Sequence, residues 1–71
     1  MFRFGSLTRR ETKILAAMVH LGYGNVVLES RSFASAQACV TQNVGHHELM
    51  AVAKTFASGE ARRIARQYTE T

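Results

Sequence analysis

Hydrophobic residues recur at helical spacing over three segments of the chain, most clearly from residue 46 to about residue 68. At about 100° per residue, the apolar side chains of this segment fall on one side of a helix. They are Leu49, Met50, Ala53, Phe56, Ala57, Ala61, Ile64 and Tyr68. Arg62, Arg63 and Arg66 fall on another side. The pattern predicts one amphipathic helix with a core-facing side and a cationic side, which can kink or divide at Ser58-Gly59.

The first segment, residues 7–21, carries its own helix-start signal. Thr8 is followed three residues later by Glu11, a capping-box pattern in which each side chain can accept a hydrogen bond from a free backbone N–H. The apolar stripe of this helix consists of Leu7, Ile14, Leu15, Met18 and Leu21. We expect the helix to stop at Gly22 and Gly24, because paired glycines readily adopt positive φ.

The middle segment predicts a second helix from Phe33 to about Gln42. Ser32 is suited to cap its start, and Gly45 closes it. Its apolar stripe consists of Phe33, Ala36, Val40 and, beyond the expected end, Val44. These side chains are three or four residues apart, so they share one helical face.

Two short stretches favour extended structure instead. Residues 26–28 read Val-Val-Leu between turn-forming residues, which predicts a short strand at residues 26–29. Residues 1–4 alternate apolar and basic side chains and are expected to pair with it, and strands this short need helices packed on them. The sequence therefore predicts a mainly α fold: a single small three-helix domain, residues 1–71, with a two-stranded element.

Size and charge narrow the classes of partner. A chain of 71 residues is near the size at which one core supplies only a few kcal/mol, so a homodimer with a second core is favoured. The net charge of +4 and pI near 10.0 favour nucleic acids, acidic proteins or anionic membranes as partners. No stretch approaches the roughly 20 apolar residues of a membrane span. The single cysteine excludes an internal disulfide and is compatible with the cytoplasm, our expected location.

The residue types for metal or covalent chemistry are present, but their spacing does not suit it. His20, His46, His47 and Cys39 are possible zinc ligands, yet they do not form the two local pairs of structural zinc sites. Cys39 lies near the apolar stripe of the second helix, where we expect a small core residue. No nucleophile with a positioned base and no Gly-rich phosphate loop is recognisable. We therefore expect neither an enzyme nor a metal site, and no cofactor.

Two segments resemble DNA-binding proteins over part of their length. In residues 37–56, Val40, Val44 and Gly45 stand at offsets that resemble the buried positions and turn glycine of bacterial helix-turn-helix regulators. The helix that would enter the major groove offers few side chains able to contact base edges. Residues 7–15 resemble the opening of the DNA-binding domains of LuxR-type activators. That resemblance covers nine residues and implies no functional residue.

The cationic residues remain the strongest indication of function. Arg62, Arg63 and Arg66, joined by Arg9, Arg10 and Lys13, can pair with carboxylates or phosphates. We hypothesise a small non-enzymatic accessory or regulatory protein that binds an acidic protein surface. The alternative is a nucleic-acid-binding protein that uses the same arginines on phosphates. The predicted binding residues are Arg62, Arg63, Arg66, Arg9 and Lys13.

Overall fold

Five helices account for most of the chain in the computed structural model, which describes Phe4 and residues 7–68. They are α1 (Arg9–His20), α2 (Gly24–Glu29), α3 (Phe33–Val44), α4 (His46–Lys54) and α5 (Ser58–Ala65). Helix α1 contacts each of the other four. Its residues 14–18 are all buried, so this stretch is covered on every side. The fold is mainly helical, as predicted, with α1 at its centre.

Helix α1 has the predicted capping box and the predicted stop at Gly22, and it spans Arg9–His20 within the predicted range 7–21, whereas Gly24 begins α2. The Thr8 side chain accepts a hydrogen bond from the backbone N–H of Glu11 at 3.0 Å, and the Glu11 carboxylate accepts one from the N–H of Thr8 at 2.9 Å. The capping box is therefore formed on both sides. Leu21 closes the helix, and Gly22 follows with φ +98°, a conformation that favours glycine.

The strand predicted at residues 26–29 is wrong, because these residues belong to α2. A run of three apolar residues is too short to show either the helical or the strand periodicity, so its secondary structure depends on its environment in the fold. Here Val27 is buried, and α2 packs on both α1 and α3. No strand occurs in the described part of the chain. Residues 1–3 of the predicted partner strand lie outside it, while Phe4 is buried and contacts the Phe33 ring edge-on, with the ring centroids 6.3 Å apart.

Helix α3 confirms the second predicted helix and runs two residues past its expected end. The Ser32 side chain caps it by accepting a hydrogen bond from the N–H of Ser35 at 3.1 Å. Ala36 and Val40 are buried, whereas the ends of the stripe are half-buried. Gly45 alone separates α3 from α4, and its φ of 89° and ψ of 149° redirect the chain within a single residue.

The helix predicted from residue 46 to 68, with a possible division at Ser58-Gly59, is divided into α4 and α5. The break falls at residues 55–57, just before the Ser58-Gly59 pair named as the weak point. It places Phe56 in the core, 7% exposed, with its ring edge-on to His20 at a centroid distance of 5.8 Å. Thr55 and Phe56 donate backbone N–H groups to the carbonyls of Val52 and Ala53, which closes the end of α4. Burial of the phenylalanine offsets the helical hydrogen bonds that the break removes.

Helix α5 lies alongside α1 and runs in the same direction. Ser58 and Arg62 line a depression with residues at the start of α1, and the Tyr68 hydroxyl approaches Gly24 beyond the end of α1. Both helices place buried alanines in the core, which lets their backbones approach closely; these are Ala16, Ala17, Ala61 and Ala65. The longest described helices have 12 residues, too few to span a bilayer.

Candidate binding surface at the start of helix α1

The exposed start of α1 is the point where the cations of three helices meet. Arg9, Arg10 and Lys13 precede the enclosed stretch of α1 and fall within a sector of about 100° on the helix. Residues of α4 flank this sector on the side of Arg10 and residues of α5 on the side of Arg9. The first turns of α1 thus emerge between α4 and α5 with their charged side chains outward.

One depression lies between α1 and α4, and we call it the α1/α4 cleft. It has a volume of about 180 Å³ and is lined by Arg10, Lys13, Ile14, Ala53 and Lys54. Ile14 and Ala53 are buried residues, so they form an apolar floor beneath the three cations. The Arg10 Nη2 atom lies 4.0 Å from the Met50 sulfur, which places a guanidinium over a thioether of α4.

A second depression, the α1/α5 pocket, lies on the other side of the same turns. It has a volume of about 260 Å³ and is lined by Leu7, Arg9, Thr12, Ser58 and Arg62. The pocket is more enclosed than the α1/α4 cleft, and hydroxyl groups contribute to its wall. The Thr12 hydroxyl donates a hydrogen bond to the Thr8 carbonyl oxygen at 2.9 Å, so its proton is not available to a ligand. Within the described residues, the Ser58 hydroxyl has no hydrogen-bond partner.

Among the residues that the structure describes, no acid neutralises these cations. Among the described residues, no lysine or arginine nitrogen lies within 4.0 Å of a carboxylate oxygen. Glu11, the nearest acid in sequence to the α1 cations, is engaged in the capping box at Thr8. Like charges brought together without counter-charges repel one another, so the surface favours an anionic partner. We call Arg9, Arg10, Lys13, Lys54 and Arg62 together the cationic surface.

The structure separates the three arginines that the sequence placed on one helical face. Arg62 borders α1 and joins the cationic surface. Arg63 lies about 180° from the buried side of α5 set by Ala61 and Ala65, and lines neither depression. Arg66 caps the end of α5 and is exposed. Of the other predicted binding residues, Arg9 joins Arg62 and Lys13 lines the neighbouring α1/α4 cleft.

Two residues of the site were not predicted from the sequence. Lys54 enters the α1/α4 cleft from the last turn of α4, and Ser58 enters the α1/α5 pocket from the first turn of α5. Neither is near Arg9 or Lys13 in sequence, and both depend on the break at residues 55–57 that redirects the chain. No pattern in the sequence shows how α4 and α5 diverge around α1.

The possible metal ligands and the cysteine lie elsewhere. His46 and His47 are exposed in the first turn of α4, as expected, and His20 contacts Phe56. Within the described residues, no three histidine, cysteine or acidic side chains gather at one point. Cys39 is exposed, so its prediction as a core residue is wrong. It lies next to Val40 in sequence, about 100° from that buried residue on α3, and this step takes its side chain to the surface.

Comparisons with known protein families, with curated proteins and with solved structures find no match to this chain. The inference of function therefore depends on the chemistry of the surface itself.

Proposed function

We propose that this chain is a small non-enzymatic accessory or regulatory protein that binds the acidic surface of another protein through the α1/α4 cleft. The observation that carries the proposal is the cleft lining: Arg10, Lys13 and Lys54 surround an apolar floor and have no carboxylate partner within the described residues. Carboxylates at the edge of a partner surface would pair with the cations. An apolar side chain between them would cover the floor.

The apolar floor favours a protein over a nucleic acid. A sugar-phosphate backbone would satisfy the cations but would gain nothing from Ile14 and Ala53 below them. Arginine and methionine are enriched in protein interfaces, and Arg10 lies against Met50 here. Exposed ion pairs contribute only about 0.2–1 kcal/mol each. Useful affinity therefore requires the apolar contact as well as the charges.

The described surface also lacks a stacking platform for single-stranded nucleic acid. Such platforms present exposed aromatic rings to successive bases. Tyr23 and Tyr68 are half-buried against the core, and the Tyr68 hydroxyl approaches Gly24. Among the described residues, no aromatic side chain lines either depression of the cationic surface. Nucleic-acid binding is therefore the alternative, and a binding experiment must distinguish it from binding to a protein.

A binding titration with defined probes tests the proposal. The first probe is a short acidic helical peptide carrying glutamates and, at helical spacing, leucines. The second has the same charge with serine replacing leucine, and the third is a short DNA duplex. We expect the leucine peptide to bind about tenfold more tightly than the serine peptide, because burying one leucine is worth about 1.5–3 kcal/mol.

Charge-reversal variants assign the binding to the cleft. Lys13→Glu with Lys54→Glu removes two of its cations, and we expect affinity for the leucine peptide to fall at least about tenfold. The matched control, Arg31→Glu with Arg63→Glu, changes the net charge equally at exposed positions outside both depressions of the cationic surface. Equal weakening by the two double variants would contradict the assignment to the cleft. Tighter binding of the DNA duplex than of the leucine peptide would favour the nucleic-acid alternative.

A further inference from the structure

The α1/α5 pocket differs from the α1/α4 cleft in ways that indicate a different ligand. It brings the side chains of Arg9 and Arg62 to one depression from two different helices. Neither side chain has a carboxylate partner among the described residues. The lining also contains the hydroxyl-bearing Thr12 and Ser58, with Leu7 as its apolar residue. The pocket is thus suited to a compact anion.

We propose that the α1/α5 pocket binds a single phosphate group, either as inorganic phosphate or as the terminal group of a phosphomonoester. This site is distinct from the proposed protein-docking cleft, and its test does not depend on that proposal. A phosphomonoester carries about −1.5 to −2 charges at pH 7, which matches the two positive charges of Arg9 and Arg62. A carboxylate carries one negative charge and two oxygens, so it would leave one guanidinium unbalanced.

The geometry of the donors also suits a tetrahedral anion. Each guanidinium presents a planar fork of N–H donors that pairs with two phosphate oxygens. The Ser58 hydroxyl has no partner among the described residues and can donate to a third oxygen. A volume of about 260 Å³ is below the roughly 300–1,000 Å³ of clefts that hold drug-sized ligands. The pocket therefore suits one phosphate group, with the remainder of an ester extending outward.

Thermal unfolding in the presence of defined anions tests this proposal. Sodium phosphate, a nucleoside 5′-monophosphate, sodium acetate and sodium chloride are titrated at constant ionic strength and neutral pH. We expect phosphate or the monophosphate to raise the Tm by about 6–10 °C at ten times its Kd, and to raise it further with the logarithm of its concentration. Acetate should raise the Tm no more than chloride does. Comparison of inorganic phosphate with the monophosphate identifies which source of the group binds more tightly.

Three single variants separate a site from general salt effects, because phosphate also stabilises proteins without binding a specific site. Arg9→Gln and Arg62→Gln each remove one guanidinium at an exposed position and should remove most of the increase in Tm, leaving only the general effect of phosphate. Arg31→Gln removes an exposed arginine outside the pocket and should retain the increase. Circular dichroism in chloride establishes that each variant is folded.

The proposal would be overturned by either of two results. One is a Tm in phosphate and in the monophosphate that does not rise above that in chloride, or that rises to the same extent in the wild type, Arg9→Gln and Arg62→Gln. The other is an increase in acetate as large as that in phosphate. If one arginine variant fails to fold, the other still decides the question, since each removes a different side of the same pocket.

Discussion

At the scale of one residue, Gly45 determines the path of the chain because it has no side chain. Its φ of 89° and ψ of 149° lie in a region of backbone space that is essentially restricted to glycine. Apart from Gly45 itself and its two chain neighbours, no residue has a heavy atom within 4 Å of the position a Cβ would occupy. The requirement for glycine is therefore conformational and does not come from crowding. It permits α4 to start directly after α3.

Replacing Gly45 with alanine should destabilise the protein by about 1–3 kcal/mol, since the alanine side chain strains this conformation. Urea unfolding followed by circular dichroism measures the change. Gly59→Ala is the control, because Gly59 lies in α5 with open space around it and no positive φ. That variant should be as stable as the wild type or more stable by up to about 1 kcal/mol. Equal stabilities of Gly45→Ala and Gly59→Ala would contradict this explanation.

At the scale of elements, the helices differ in whether a side chain accepts hydrogen bonds from the free backbone N–H groups at their starts. Helices α1 and α3 begin with side-chain caps, Thr8 with Glu11 and Ser32 respectively. The N-cap residues of α4 and α5 are Gly45 and Ala57, and neither provides a side-chain cap. The two capped helices are also the longest. Local sequence thus defines α1 and α3, whereas α4 and α5 depend more on packing against α1.

Removal of the α3 cap should have a measurable local cost. Ser32→Ala leaves the N–H of Ser35 without its side-chain acceptor, and we expect a loss of about 1 kcal/mol. Ser35→Ala is the matched control, because only the backbone of Ser35 takes part in this hydrogen bond. The control should stay within about 0.5 kcal/mol of the wild type. Denaturant unfolding of both variants distinguishes them, and a larger loss in Ser35→Ala would exclude the cap as the cause.

At the scale of the whole molecule, the central position of α1 explains why charge accumulates at its start. The enclosed residues 14–18 leave α4 and α5 on either side of the preceding turns. Cations from three helices then share one end of a small domain, with no acid of the described chain in ion-pair contact. We expect repulsion among these cations to lower the stability of the unbound protein. An anionic partner would remove that repulsion.

The uncompensated charge predicts that the unbound protein gains stability with salt. Screening weakens like-charge repulsion in the compact state more than in the expanded unfolded chain, so the Tm should rise by about 2 °C between low and physiological sodium chloride. Lys13→Gln with Lys54→Gln should reduce this increase. Arg31→Gln with Arg63→Gln should reduce it less, because those arginines lie outside the cationic surface. A Tm that falls with salt in the wild type would show that attractive pairs dominate instead.

Self-association remains a prediction from the size of the chain. A second copy would bury apolar area that a 71-residue core lacks. Light scattering coupled to size-exclusion chromatography should give twice the 7.9 kDa mass of one chain at high micromolar concentration. A mass of one chain under those conditions would contradict a homodimer.

The sequence by itself determined the features that depend on nearest neighbours along the chain. The capping box at Thr8, the Ser32 cap, the glycine stop at Gly22 and the buried pair Ala36 and Val40 all follow from residues within one or two helical turns. These interactions form within a single helix, so their energies are set locally. The helical class of the fold follows from the same patterns.

Only the tertiary structure decided the features that depend on competition between distant contacts. Residues 26–29 form a helix because Val27 is buried in the core, and the last predicted helix divides where Phe56 is buried near His20. The same division brings Lys54 to Lys13 and Ser58 to Arg9. Helical periodicity places residues on the faces of one helix, but the burial of side chains from all five helices determines which faces meet. The cationic surface is therefore a property of how the helices pack around α1.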